Sequence, residues 1–462
     1  MRLFFLFLFV SASAFSQSIH PAFTQLEKEG SVIAYSVRDE TGKEIQSWQS
    51  GINMQPASTQ KLITAAAALY KLGKDYHFKT PVLLTGNKNN DILKSDIVII
   101  GSGDPELGRA EGSADSIKTA IVNALTKRGI KRIIGSITVD VSVYPYDHRG
   151  VPRFWPYEDL GNYYGAAVYG INWRGNSFTV EFRATKAGQK ADYNFVDYTP
   201  HNMSLGSEVF TCRGAEEVIY MWGSPGRSSL DADGCVPEGQ IRRERGALPH
   251  PPIQLDFELK NLLDSKFPGS DLSTHIYTFP YEGKGDTLLV LESRPLSGMI
   301  NDMLLKSDNL LAEALLKRMA ADAGKDTRAE KAVELVIEYL SAFGYPELNG
   351  FHPMDGSGLS PANLETAAFQ TAFLHHLQQH PDFEILYNAL PEAGKSGTLR
   401  RFEAIPGLRA KTGSINGVRS YMGYLDAKGK RYSFSIMMNH ISADDRKLPA
   451  ESAANFLKTV RP

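Results

Sequence analysis

Three short strings hold residue types that do chemistry together: Ser58-Thr59-Gln60-Lys61, Ser307-Asp308-Asn309 and Lys411-Thr412-Gly413. A serine hydroxyl is a weak nucleophile at neutral pH and needs a base beside it. Lys61 follows Ser58 by three positions, so one helical turn sets amine and hydroxyl on the same face. The amine accepts a proton only when it is itself neutral, a state that burial or a neighbouring cation favours by lowering its pKa. Lys411 is expected to be that cation. A helix start also leaves backbone N–H groups free, and the Ser58 N–H suits the oxyanion that forms when a carbonyl is attacked. Each string alone is bland: a solvated helix start, a helix cap before the apolar run from Leu310, a strand end before a turn. Together they supply a nucleophile, an adjacent base and a neighbouring cation, and their combination and order matter more than any member.

The elements that must position these residues lie at both ends of the chain. Residues 56–72 read as a helix, with Pro56 at its start, the run Ala65-Ala66-Ala67-Ala68 inside it and Gly73 at its end. Residues 31–38 and 44–48 read as a hairpin around Thr41-Gly42-Lys43, and 418–425 with 431–439 as a second one, followed by a helix over 449–460. Between the ends the texture changes. Short strands over 78–100 precede a helical stretch at 116–128 and the apolar run from Ile133 to Val139, a small α/β unit. Residues 165–278 alternate in short strands broken by Gly, Pro, Asn and Asp, which predicts a mainly β segment, and helices resume over 297–343.

Taken together, the three strings match the motif set of penicillin-binding proteins and β-lactamases, and the chain resembles the D-alanyl-D-alanine carboxypeptidases of peptidase family S13, the low-molecular-mass class C penicillin-binding proteins. The likeness extends over nearly the whole chain after residue 16. It includes Gly101-Ser102-Gly103-Asp104-Pro105, Asp355-Gly356-Ser357-Gly358-Leu359-Ser360, Ser396-Gly397-Thr398-Leu399-Arg400 and the extended string Lys411 to Val418. Ser102 stands where the family typically has a second glycine. The resemblance implies an α+β fold: a β-lactamase/transpeptidase-like domain, an antiparallel sheet flanked by helices, formed by residues 17–85 and 286–462. Inserted into it are a mainly β domain (86–102 and 165–285) and a small α/β domain (103–164). It implies that Ser58 is acylated, that Lys61 is its general base, that Ser307 relays a proton to the leaving amine and that Asn309 orients the substrate amide. Lys411 and Thr412, with Gly413, would bind the substrate's terminal carboxylate, and the Ser414 N–H would join that of Ser58 around the oxyanion. The implied reaction is carboxypeptidase or D,D-endopeptidase cleavage of peptidoglycan stem peptides, with β-lactams as covalent inhibitors. The interval from Ser58 to Ser307 takes up more than half of the chain, far more than in class A β-lactamases, which disfavours a pure β-lactamase.

Composition and targeting signals agree with that expectation. Lys plus Arg number 50 against 52 Asp plus Glu, so no excess of positive charge exists for a phosphate backbone, and nucleic acid is not an expected partner. Residues 1–16 have the order of a secretory signal peptide: Arg2, an apolar run, then Ala14-Phe15-Ser16. Export to the periplasm or another extracytoplasmic space follows, with no transmembrane anchor expected. Cys212 and Cys235 are the chain's two cysteines and are expected to pair there. No cofactor or metal is called for: His376 and His380 lack the His-Glu-x-x-His pattern and read as a solvated helical pair, and Gly101 with Gly103 reads as a turn, not a dinucleotide loop. Phe154-Trp155-Pro156-Tyr157, with Tyr163 and Tyr164, reads as packing between domains.

Overall fold

Strand Val32–Arg38 shows how the main sheet is covered on both faces. Its residues alternate with a period of two: Ile33, Tyr35 and Val37 enter one apolar core, while Ala34 and Ser36 face helix Ala367–Leu377, where the Ser36 hydroxyl meets that of Thr371 at 2.8 Å. The computed structural model describes residues 18–144, 150–214, 218–345, 348–442 and 447–460; the leader expected at 1–16 lies outside them. Five antiparallel strands form the sheet in the order Leu408–Ile415, Val418–Ala427, Lys430–Asn439, Val32–Arg38 and Glu44–Trp48, so the two hairpins from opposite ends of the chain join side by side. On one face Phe23, Leu26 and Phe456 of the terminal helices pack against Phe434 and Ile436. On the other lies a larger core made by helices Lys61–Leu72, Leu296–Lys306, Asn309–Asp322 and Ala329–Ala342. Each fully buried Leu or Phe there contributes about 2 kcal/mol. Ala65 to Ala68 contribute less apiece, but their small side chains let the Lys61–Leu72 helix lie deep among its neighbours, with all four buried.

The insertion is built from three further sheets. A seven-stranded mixed sheet follows the order Asp286–Glu292, Lys79–Leu84, Ile97–Ile100, Arg132–Asp140, Ile92–Lys94 and Asn87–Asn89, with Asp271–Tyr277 also paired to Arg132–Asp140. Helices Ser113–Lys127 and Pro251–Lys266 cover it through Ile121, Leu125, Leu255, Leu259 and Leu263. Two three-stranded sheets, one of Ser204–Cys212, Ser229–Pro237 and Tyr220–Trp222, the other of Ile241–Ala247, Ser177–Arg183 and Asp192–Val196, enclose a separate core around Phe178, Phe182, Val209 and Met221. Cys212 and Cys235 form a disulfide between the first two of these strands.

This pairing groups the strands differently from the expected borders. Residues 86–102 were expected with the mainly β unit, yet Asn87–Asn89, Ile92–Lys94 and Ile97–Ile100 belong to the α/β sheet, as do Lys79–Leu84 and Asp286–Glu292 from the expected outer domain. The 16-residue helix Pro251–Lys266 also breaks the expected β texture of 165–278. A strand's partners are set by long-range hydrogen bonds that local composition does not report. Among the described residues no helix is long and apolar enough to cross a membrane.

Candidate active site

Ser58 lies in the short 3-10 turn Ala57–Gln60 that opens helix Lys61–Leu72. Ala57, just before it, takes φ 49°, a left-handed conformation that a non-glycine residue adopts at a cost of about 1 kcal/mol or more. The Lys61 Nζ lies 2.8 Å from the Ser58 Oγ and 2.6 Å from the carbonyl oxygen of Ser357. The side chain is fully buried. Burial lowers its pKa to about 8, against the pull of the Asp355, Glu313 and Asp308 carboxylates. Loss of water is thus the main cause of the lowering, one of the two routes, burial or a neighbouring cation, that the sequence had left open.

Ser307 and Lys411 form a second serine–lysine pair facing the first. Ser307 follows helix Leu296–Lys306 with φ 59°, and its Oγ accepts a hydrogen bond from Lys411 Nζ at 2.8 Å; the same ammonium reaches the carbonyl oxygen of Thr412 at 2.7 Å. Lys411 is also fully buried, and desolvation together with Lys61 pushes its pKa well below the ordinary lysine value. Asp308 caps helix Asn309–Asp322 by accepting the Leu311 N–H at 3.0 Å, and its other oxygen pairs with Arg109. Burial works against the Asp308 charge, but Arg109 holds its pKa below the ordinary value. The Asn309 amide donates to the Tyr164 carbonyl at 2.7 Å.

Lys411, Thr412, Gly413 and Ser414 lie on the edge strand Leu408–Ile415. The Ala410 N–H points out of the sheet to Pro391 O at 3.0 Å. Because strand N–H groups alternate in direction, the N–H of Ser414, four residues on, points to the same open edge. Gly413 permits this edge to approach the turn that holds Ser58: a Cβ there would stand 2.5 Å from Pro56 O and 3.1 Å from the Ala57 Cβ. The Thr412 hydroxyl, at the rim, donates to Thr398 Oγ1 at 2.7 Å.

A cleft of about 1510 Å³ opens over these groups, and Ser58, Ser307, Asn309, Thr412, Gly413 and Ser414 all line it. Lys61 and Lys411 lie beneath that surface. Tyr163 and Tyr164 also line it, so the aromatic cluster read as packing faces the cleft in part. Trp155 from the same cluster is buried and donates its indole N–H to Asp355 at 2.8 Å. The structure therefore brings every predicted site residue to one place. It adds Glu313, which accepts the N–H groups of Gly356 at 3.0 Å and Ser357 at 2.7 Å and whose pKa is raised to about 7, by burial first and Asp355 second. One signal pointed to it: a carboxylate inside the apolar run Leu310 to Met319. The two histidines part from the expected solvated pair: His376 is half-buried, its Nε2 meeting the Phe343 carbonyl at 2.8 Å and its ring packing on Tyr345, while His380 is buried. Helix Ala367–Leu377 ends before His380, so the two do not form a helical pair, and Phe343 meets both, through its carbonyl at His376 and its ring at His380.

Fold and site define a serine hydrolase of the transpeptidase-like class. The chain belongs to the D-Ala-D-Ala carboxypeptidase 3 (S13) family, whose sequence profile matches residues 15–460. It is 25% identical over 444 residues to the D-alanyl-D-alanine carboxypeptidase DacB of Haemophilus influenzae, covering 91% of this chain and 88% of the relative. It is 27% identical over 429 residues to a D-alanyl-D-alanine carboxypeptidase of Actinomadura sp. strain R39, covering 89% and 78%. The crystal structure of penicillin binding protein 4 (dacB) from H. influenzae superimposes with a TM-score of 0.82 at 22% identity, over 96% of this chain and 99% of that one. A complex of the same protein with a novel β-lactam gives 0.78, at 22% identity and the same coverage.

Proposed function

We propose that Ser58 is the acylated nucleophile of a D-alanyl peptidase acting on peptidoglycan stem peptides. The substrate's terminal carboxylate meets Lys411 and Thr412, a cation with a hydroxyl donor. Its scissile carbonyl lies between the N–H groups of Ser58 and Ser414, and Asn309 steadies the preceding amide. Neutral Lys61 takes the Ser58 proton as Oγ attacks, forming a tetrahedral intermediate. Ser307 relays the proton taken up by Lys61 to the departing nitrogen, so that Lys61 is neutral again, the C–N bond breaks, and D-alanine leaves. Water, deprotonated by the same lysine, then releases the peptide from Ser58.

The observation that carries this reading is the facing pair of contacts, Lys61 to Ser58 and Lys411 to Ser307, both at 2.8 Å in one cleft. The cleft volume of about 1510 Å³ also leaves room for a leaving group larger than D-alanine, which favours D,D-endopeptidase cleavage of cross-links as a second activity. β-Lactams, which mimic the same carbonyl and carboxylate, form a slowly hydrolysed ester with Ser58, in keeping with the β-lactam complex of the H. influenzae relative. The leader at 1–16 directs the protein across the cytoplasmic membrane to its substrate. The chain divides into a catalytic part, an α/β part and a β part, whose borders follow the sheets.

Intact-mass spectrometry after incubation with benzylpenicillin tests the reading. The wild type should gain one penicilloyl group on the peptide containing Ser58, and Ser58→Ala should gain none. No adduct and no penicillin turnover would favour a non-catalytic wall-binding protein.

A further inference from the structure

Two turns govern the geometry of the site, and the insertion grips both. The first, residues 355–360, supplies the Ser357 carbonyl that holds Lys61 Nζ at 2.6 Å. Its shape depends on the Asp355 carboxylate, which accepts the N–H groups of Gly358 and Ser360, each at 2.7 Å, and the Asn363 amide at 2.9 Å. Those three donors are local. The fourth, the Trp155 indole N–H at 2.8 Å, comes from the insertion. The second turn is Ser307-Asp308-Asn309, where Ser307 keeps its left-handed φ of 59°. Here the insertion supplies two of the restraints: Arg109 on the Asp308 carboxylate and the Tyr164 carbonyl on the Asn309 amide.

Contacts that merely join parts of a molecule fall anywhere along their border. One such contact is the ion pair of Arg153 with Glu330 at 3.1 Å, on an arginine whose side chain is 58% exposed. Trp155 and Arg109 differ from it. Trp155 is 8% exposed, the Arg109 side chain 25%, and each ends on a group one bond network away from Lys61 or Ser307.

We propose that the insertion is a working part of the catalytic centre, with Trp155 and Arg109 as positioning residues that hold the turns on which Lys61 and Ser307 depend. This rests on the reading of Lys61 and Ser307 given above. Neither residue needs to touch substrate. Removing the indole N–H leaves the Asp355 carboxylate one donor short, so the turn and its Ser357 carbonyl shift relative to Lys61. Removing Arg109 leaves Asp308 buried without its cation, and the Ser307 turn relaxes. In both cases initial docking survives, since Thr412 and Ser414 belong to the sheet edge, and the chemical step slows.

The test is the acylation rate constant and the dissociation constant of the initial complex for benzylpenicillin, measured with the full chain as wild type, Trp155→Phe, Arg109→Lys, Arg109→Met and Arg153→Gln. Trp155→Phe keeps an aromatic ring and removes the donor. Acylation in Trp155→Phe and Arg109→Met should fall by about 10-fold to 100-fold, the range that small misplacements of reacting groups produce, with the dissociation constant unchanged. Arg109→Lys should recover part of the rate, and Arg153→Gln should match the wild type. Should Arg109→Met fail to fold, Arg109→Met combined with Asp308→Asn removes the stranded charge and takes its place. Wild-type acylation in Trp155→Phe and the Arg109 variants overturns the proposal. An equal slowing in Arg153→Gln does so too, because any loosening of the border would then suffice. A wild type that never acylates overturns the functional reading itself, an outcome distinct from a wild type that acylates beside unimpaired variants.

Discussion

Lys61 and Lys411 lie at the base of one cleft, both without exposure to solvent. Burial alone makes the charged form of each expensive, and the nearby Lys61 adds to the cost for Lys411. Lys61 benefits: with its pKa at about 8 it offers a neutral amine to Ser58 near neutral pH. The sign of the pH dependence follows. In the proposed reaction neutral Lys61 is the active form, so acylation should rise with pH below about 8, about tenfold per unit, and level off above. Asp355, Glu313, Asp308 and Lys411 are the charged groups that face it, and the three carboxylates hold its pKa up. Glu313→Gln should therefore move the rising limb to lower pH in a pH–rate profile of penicillin acylation; an unmoved limb would show that Glu313 is neutral already. Lys61→Ala should slow acylation by roughly 10²-fold to 10⁴-fold, the usual worth of a positioned base.

At the scale of elements, glycines decide how closely the pieces meet. Gly358 takes φ 80°, and a Cβ there would collide with the Ala57 carbonyl, so the turn that holds Lys61 can lie directly against the residue before Ser58. Gly358→Ala adds left-handed strain of about 1 to 2 kcal/mol to an overpacking term of about 1 to 3 kcal/mol. Thermal unfolding should show a clear loss of stability, with slower penicillin acylation beside it. Unchanged unfolding would mean that the turn can withdraw from Ala57 at little cost. The edge strand after Lys411 shares this logic, since Gly413 lets it close on Pro56.

Across the whole molecule, the disulfide and the catalytic cleft serve different parts. Cys212 and Cys235 are 23 positions apart and tie two parallel strands of the β part. A closed loop of this length stabilises by about 3 kcal/mol through the unfolded chain. Paired Cys212→Ser and Cys235→Ser should lower the unfolding free energy by about that amount while leaving the Ser58 adduct with benzylpenicillin intact. Loss of the adduct would tie the β part to the chemistry more tightly than Trp155 and Arg109 do.

What could be read from the sequence was local. A serine and a lysine three apart, a proline and alanine-rich helix and two alternating hairpins each report their structure within a few residues, because helical and strand periodicities act at that range. The order of the three strings, with the family resemblance, was enough to name Ser58, Lys61, Ser307, Asn309 and Lys411 to Ser414, which meet at the cleft, but not Glu313 or most of the cleft's lining. Tertiary structure decided the rest. Which sheet took the strands between Lys79 and Ile100 depended on partners as distant as Asp286–Glu292. That burial lowers the Lys61 pKa required knowing that its amine is wholly enclosed. Trp155 meeting Asp355, and Arg109 meeting Asp308, are contacts between residues about 200 positions apart. No local pattern encodes such contacts, because they form only when separate cores have packed and their side chains are brought within hydrogen-bonding distance.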